Sequence, residues 1–289
     1  MRKLVALVLA SMLLLSVFSF AAAEEKVTLN IWSFTDELRG MIDKYYKPAH
    51  PEVEITYTLY PTDGSEYRNK LDTVIATAPT GSEAPDVFAL EAAFVKYYVN
   101  SDTTAPLSDL GFTAEDFAKS IPAMVQIGTD SRNGQQKASA WQSTPGALFY
   151  RASLAEKYLG VKTPEEFQAL VSDWDTFMET AVAINDASEG AVKMFNSFGD
   201  IWNAFQYNRD AGWVVDGKLN IDPVLYDYLD LLKQSEDDGL YNMGSAWSET
   251  WFAGMKTDTT LTYLLPTWGL HYVLKPNCGN YDAATDGKL

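Results

Sequence analysis

Three short segments decide the fold: Val27–Trp32 (VTLNIW), Val53–Leu59 (VEITYTL) and Asp86–Leu90 (DVFAL). The second alternates cleanly, with Val53, Ile55, Tyr57 and Leu59 on one face and Glu54, Thr56 and Thr58 on the other, which is the period of a strand. The first alternates as well, and the third is short and apolar throughout, as strands covered on both faces are. Between the first two, Thr35 offers a cap, and Asp36 and Glu37 fall in a first helical turn, where the positive end of the dipole favours carboxylates. Leu38, Met41, Ile42, Tyr45 and Tyr46 follow at helical spacing until Pro48 and Pro51 end the run. A second helix is expected from Glu66 to Ala78, with Tyr67, Leu71, Val74 and Ile75 inward. Strand, helix, strand, helix, strand is the opening of a doubly wound α/β sheet. Ligands of such sheets sit at the carboxyl ends of the strands, which singles out Ser33–Glu37 and Glu91.

Outside this block the chain opens on a basic Arg2-Lys3, an apolar run Leu4–Phe20, and Ala21-Ala22-Ala23 before Glu24-Glu25. That is the pattern of a secretory signal peptide cut after Ala23, which takes two positive charges with it. A retained membrane anchor is the rival reading; it would lack the small-residue cleavage site. At 289 residues and 47% hydrophobic content, one large or two medium domains can each bury a core. The net charge of −17 argues against nucleic acid and anionic membrane surfaces as partners, because both require clustered Lys and Arg. The one cysteine, Cys278, precludes a disulfide within the chain and reads as a semi-buried structural thiol; the leader holds no cysteine for a lipid.

Further along, a helix is expected over Ala114–Val125, then a polar turn at Gly128–Gln136. Lys137–Tyr150 reads as an extended segment interrupted at Pro145-Gly146, the form of a crossover between lobes or of an ordinary bulge. Thr163-Pro164-Glu165-Glu166 is a capping box with proline at the first helical position. Asp173 starts another helix, and its Trp174 is a core residue. Ala191–Phe195 is expected as a short strand and Phe198–Phe205 as the opening of a helix. Asp216-Gly217 marks a hairpin turn, and Asp222-Pro223 precedes a long helix over Val224–Asp238 closed by Gly239. In Trp247–His271 (WSETWFAGMKTDTTLTYLLPTWGLH), the strand Leu261–Leu265 stops at Pro266, and Trp268 lies just beyond. A tryptophan in such a loop suits a flat apolar platform for a sugar ring. Trp247 is a possible second one, and Trp251 reads as packing.

The order of these segments resembles a family. LNIWSF, PEVEITY and APDVFAL, then TPEEF and DWDTFMETA, then GKLNID-P, DDGLYN and WFAGMKTDTTLTYLLPTW, are similar to the extracellular solute-binding proteins of sugar ABC transporters. Phe252, Gly254, Met255 and Lys256 match one family element loosely; Pro266 and Trp268 match its Gly-Pro-Trp turn with Thr267 inserted. The resemblance implies a periplasmic-binding-protein-like two-lobed α/β clamp, each lobe a doubly wound sheet flanked by helices. Its parts would be a signal peptide (1–23), a first lobe (24–143) and a second lobe (144–289), with the segment that returns to the first lobe missing after Leu289. It implies capture of a sugar or oligosaccharide outside the cytoplasm, delivery to membrane permease subunits, a monomer, and no cofactor. The ligand contacts it implies are Trp32, Asp36, Glu37 and Glu91 in the first lobe, Trp141, Gln142 and Ser143 at the crossover, and Trp202, Asn203, Trp247 and Trp268 in the second lobe.

Other chemistry has less support. His50 and His271 lack metal spacing, and there is no GxSxG, GxxxxGK[ST] or GxGxxG motif. A secreted, acidic, tryptophan-rich protein is also compatible with a glycoside hydrolase using Glu91 with Asp36 or Glu249, although a chain this acidic offers such pairs by chance. A free-standing carbohydrate-binding module would be an all-β sandwich, which the helical half opposes.

Overall fold

The computed structural model describes residues 27–62, 65–81 and 83–278, so the expected signal segment lies outside the described residues. The chain divides into two compact units, Met1–Ser143 and Thr144–Leu289. In the first, strand β1 (Val27–Ser33) lies between β2 (Val53–Leu59) and β3 (Val87–Phe88), both parallel to it. Ile31 stands opposite Tyr57 and Val87, and Trp32 opposite Thr58 and Phe88. Burial deepens along β1, so that Ile31, Trp32 and Ser33 are all covered and the alternation is lost at its carboxyl end.

Helix α1 (Glu37–Met41) continues as a π-turn over Ile42–Tyr46. Its cap position is held by Asp36 and not by Thr35, whose hydroxyl accepts instead from the Glu37 amide at 3.3 Å. Helix α2 (Glu66–Thr77) buries Tyr67 and Leu71 against the sheet, and the Tyr67 hydroxyl donates to the Ala89 carbonyl at 2.7 Å. After α3 (Val95–Val99), the helix expected over 114–125 divides into a 3₁₀ turn (Ala114–Phe117) and α4 (Pro122–Ile127). Pro122 has no N–H to continue the earlier turn and holds Ile121 extended. The 128–136 loop closes through a Thr129–Gln136 bridge. Its buried Asp130 meets Arg132 at 2.8 Å and Lys137 at 2.9 Å, and these cations hold its carboxyl well below the usual range.

The second unit begins with β4 (Gly146–Tyr150), α5 (Ala152–Leu159), α6 (Pro164–Ala169) and α7 (Trp174–Ala187). Both predicted starts hold: Thr163 and Glu166 form the reciprocal box, and the Asp173 carboxylate accepts from the Thr176 amide at 2.8 Å. Helix α8 (Phe198–Gln206), the hairpin β5 (Val214–Val215) and β6 (Lys218–Leu219), α9 (Val224–Asp237), α10 (Glu249–Lys256) and β7 (Thr262–Pro266) follow. The hairpin turns on Asp216 and Gly217, both at positive φ, as the Asp-Gly pair requires.

β4 and β7 pair antiparallel, from Gly146 opposite Pro266 to Tyr150 opposite Thr262. The strand expected at Ala191–Phe195 appears only as parallel bridges from Lys193 to Thr260 and from Phe195 to Tyr241. Among the described residues this unit thus holds the antiparallel β4–β7 pair, the β5–β6 hairpin and the two isolated parallel bridges. Its main core joins Phe177, Ile184, Met194, Phe195, Ile201 and Phe205. A second cluster surrounds Trp251, with Met255, Tyr263, Leu265, Val273, Leu274 and Cys278. Cys278 is fully packed and not semi-buried, and burial pushes its thiol up.

Candidate functional site

In the first unit the segment after β1 is turned by local hydrogen bonds. The buried Ser33 hydroxyl donates to the Thr35 carbonyl at 3.1 Å, and the Tyr57 hydroxyl donates to the same oxygen at 2.7 Å. This sets Asp36 and Glu37 at the carboxyl end of the sheet. Asp36 is exposed and pairs with Arg39 at 3.3 Å, whose guanidinium lies 4.8 Å over the Tyr57 ring. With its amide nitrogen turned toward Glu37, Gln142 donates to the two carboxylate oxygens at 3.2 and 3.3 Å. Trp141 lies 6.5 Å from the Phe34 ring, and its indole N–H is buried with no acceptor. Asp36, Glu37, Trp141 and Gln142 are thus gathered around the β1 turn, with the exposed Ser143 next in the chain.

Glu91 opens the turn between β3 and α3, and its carbonyl accepts from the Phe94 and Val95 amides. Its half-buried carboxyl is pushed upward by burial, with no cation set against it. Trp32 is a correction. Its ring is 7% exposed, packs edge-on against Tyr60 at 4.9 Å and belongs to the core with Tyr67, Leu71 and Tyr98. It holds the sheet together and offers no face to a ligand.

In the second unit the three tryptophans of 247–271 do converge, with different exposures. Trp251 is 1% exposed on α10, and its indole N–H donates to Asp200 at 2.7 Å. Trp247 is 50% exposed and lies 5.2 Å from Trp251 and 6.1 Å from Trp268, both at shallow interplanar angles of about 30°. Trp268 is half-buried after β7, and the preceding Thr267 amide donates to the Pro145 carbonyl at 3.1 Å, fixing the turn to the start of β4. Trp247 adopts a left-handed φ of +68°, a costly conformation for a bulky residue. The outcome is a stepped apolar surface with Trp251 beneath, Trp247 half exposed and Trp268 half-buried beside it.

Trp202 and Asn203 are not brought to this surface. Trp202 packs on Tyr228 of α9 at 5.1 Å, and Asn203 bonds Gln206 within its own helix. Helical geometry explains the difference: Trp202 lies two residues, about 200°, around α8 from the buried Asp200. Asp200 itself escaped the sequence reading. Ser197-Phe198-Gly199-Asp200 has capping-box spacing and could have found its local role, but not its bond to a tryptophan 51 residues away. Burial pushes the Asp200 carboxyl up, although Ser197, Trp251 and Asn196 N–H donors oppose this.

Among the described residues no group of three or more His, Cys, Asp or Glu is placed to hold a metal. Among the same residues no helix is long and apolar enough to cross a membrane.

A family model of bacterial extracellular solute-binding proteins matches residues 40–285. Solved structures share the fold. An extracellular solute-binding protein of family 1 superposes with a TM-score of 0.72 at 22% identity, over 88% of this chain and 64% of its own. The galacto-N-biose-/lacto-N-biose I-binding protein of an ABC transporter from Bifidobacterium longum, in complex with lacto-N-biose, gives 0.67 at 15% identity, covering 89% and 63%. The ABC transporter associated binding protein from B. animalis subsp. lactis, in complex with β-1,6-galactobiose, gives 0.63 at 20%, covering 87% and 60%. The chain therefore spans somewhat less than two thirds of the length of these structures. The α/β reading stands, and with this length of match the chain belongs to the bacterial extracellular solute-binding proteins.

Proposed function

We propose that this chain captures a sugar or oligosaccharide outside the cytoplasm for delivery to the membrane permease subunits of an ABC transporter. The observation that carries the reading is the stepped apolar surface of the half-exposed Trp247 and the half-buried Trp268, beside a turn fixed by backbone bonds. Indole faces stack on the C–H faces of pyranoses, and the neighbouring polar groups select among hydroxyl patterns. In the first unit, Asp36 and Glu91 supply acceptors and the exposed Ser143 hydroxyl a donor, beside the Gln142–Glu37 pair and Trp141. Such a set suits a hydroxyl-rich ligand, neutral or carrying an amino group, bound by a monomer. The leader up to Ala23 is read as the export signal, and the mature chain begins at Glu24.

The test is a fluorescence titration of the exported protein with lacto-N-biose, β-1,6-galactobiose and longer oligosaccharides, with free sugar assayed in the same samples. Saturable binding in the micromolar range or tighter, with a change in tryptophan emission and no cleavage, supports capture. Repeated release of product would instead assign a glycoside hydrolase, and would overturn the proposal.

A further inference from the structure

We infer that Asp200 is the positioning residue for the tryptophan surface: a buried carboxylate that fixes Trp251, on which Trp247 and, through it, Trp268 are seated. The inference rests on the reading of that surface as a ligand platform, and extends it to a residue that does not face the ligand.

Asp200 uses its two oxygens for different tasks. Oδ2 accepts from the Asn196 amide at 3.1 Å and the Ser197 amide at 2.8 Å, closing the start of α8. Oδ1 accepts from the Trp251 indole N–H at 2.7 Å. The same turn grips Trp251 a second time, because the Asn196 side-chain amide donates to the Trp251 carbonyl at 3.0 Å. An indole has one donor, so a single directed bond to it fixes the rotation of the ring as well as its position.

From Trp251 the arrangement runs outward by contact. Its ring meets Tyr263 of β7 edge-on at 5.5 Å and an interplanar angle of 89°, so the outer face is left for Trp247 at 5.2 Å. Trp247 then stacks toward Trp268 at 6.1 Å. The left-handed backbone at Trp247 is a strain that its seat between the two other indoles must offset. A buried carboxylate is itself a costly group to place in a core, and the Asn196 and Ser197 amides use only one of its oxygens. A directional hold on Trp251 is something that an apolar side chain cannot provide.

The test uses the full chain labelled with 5-fluorotryptophan, in which Trp247→Phe and Trp268→Phe assign the two outer fluorine resonances. Asp200→Ala is expected to shift or broaden the resonances of Trp251, Trp247 and Trp268, although the last two do not touch Asp200. Trp174 and Trp202 serve as internal controls. Trp174 stacks on Phe205 of α8 at 4.5 Å and Trp202 packs on Tyr228, so both report general loosening of α8. They are expected to stay in place. Asp200→Asn keeps an acceptor for the Trp251 N–H and is expected to restore the outer resonances in part; it also provides the test if Asp200→Ala does not fold. The inference is overturned if Trp247 and Trp268 do not move, or if Trp174 and Trp202 move equally. Affinity for lacto-N-biose is expected to fall about tenfold in Asp200→Ala and less in Asp200→Asn, the scale of a lost hydrogen bond to a charged group. Should the unmodified chain bind no sugar, the functional proposal falls, and the fluorine spectra alone still decide the role of Asp200.

Discussion

Gly254→Ala places two opposing effects in one residue. Gly254 lies inside α10, where alanine favours the helix by about 1 kcal/mol over glycine. On propensity alone the substitution stabilises. An added Cβ would, however, sit 2.9 Å from the Asn196 side-chain nitrogen, 3.1 Å from the Thr260 hydroxyl and 3.4 Å from the Tyr263 hydroxyl. Neither of the first two is a flexible end. Asn196 and Thr260 are buried; Asn196 donates to the Trp251 carbonyl at 3.0 Å, and the Thr260 hydroxyl accepts from Asn242 at 2.9 Å. Relieving the overlap displaces at least one of these bonds, which costs about 1–3 kcal/mol for the group left unsatisfied. Residual overpacking adds about 1 kcal/mol or more. The balance is a loss of about 2 kcal/mol, or about 4–8 °C in melting temperature for a unit of this size. Urea titration followed by circular dichroism measures it, with the midpoint expected to fall at unchanged slope. A variant as stable as the parent, or more so, would show that the packing between α10 and the 196–200 turn is looser than described, and the reasoning would fail.

Two other predictions concern stability. Glu91→Gln removes a carboxyl whose pKa burial has raised, so the native chain holds that proton to a higher pH than the unfolded chain does. Its ionisation therefore weakens the fold above the ordinary glutamate range; the variant should melt higher than the parent at pH 7, with the gap closing as the pH falls to about 4. A gap that is constant with pH would contradict this. Thr163→Ala deletes the N-cap of α6, whose hydroxyl accepts from the Glu166 amide at 3.2 Å, and should cost about 0.5–2 kcal/mol by chemical denaturation without altering tryptophan fluorescence at the Trp247–Trp268 surface.

What could be read directly from the chain was local. Val53–Leu59 alternates, and it is a strand over those residues. The boxes at Thr163 and Asp173 and the Asp216-Gly217 turn each specify their geometry within four residues, and all three formed. Failures arise where a distant partner decides. The family resemblance implies Trp32 as a ligand contact, but its face is set by α2, whose Tyr67 and Leu71 close over it. The resemblance likewise implies Trp202 as a contact, and the packing of α8 on α9 turns it toward Tyr228. Helix 114–125 was broken by Pro122, a signal visible in the chain but outweighed by the apolar spacing around it. The candidate surface was half legible: Trp268 is expected just past the strand that stops at Pro266 and Trp251 as packing, and they lie so. The role of Asp200 needed the fold, because its partner is on another helix.

The central claim is that Trp268 and Trp247 form a sugar platform, and calorimetric titration of the exported chain and its Trp268→Ala variant with lacto-N-biose and related oligosaccharides tests it most directly. The account predicts saturable binding by the parent chain to at least one of these sugars, and a loss of about tenfold or more in the variant while circular dichroism shows it still folded, the scale of one stacking contact together with its buried area. Equal affinity in the two chains would contradict it.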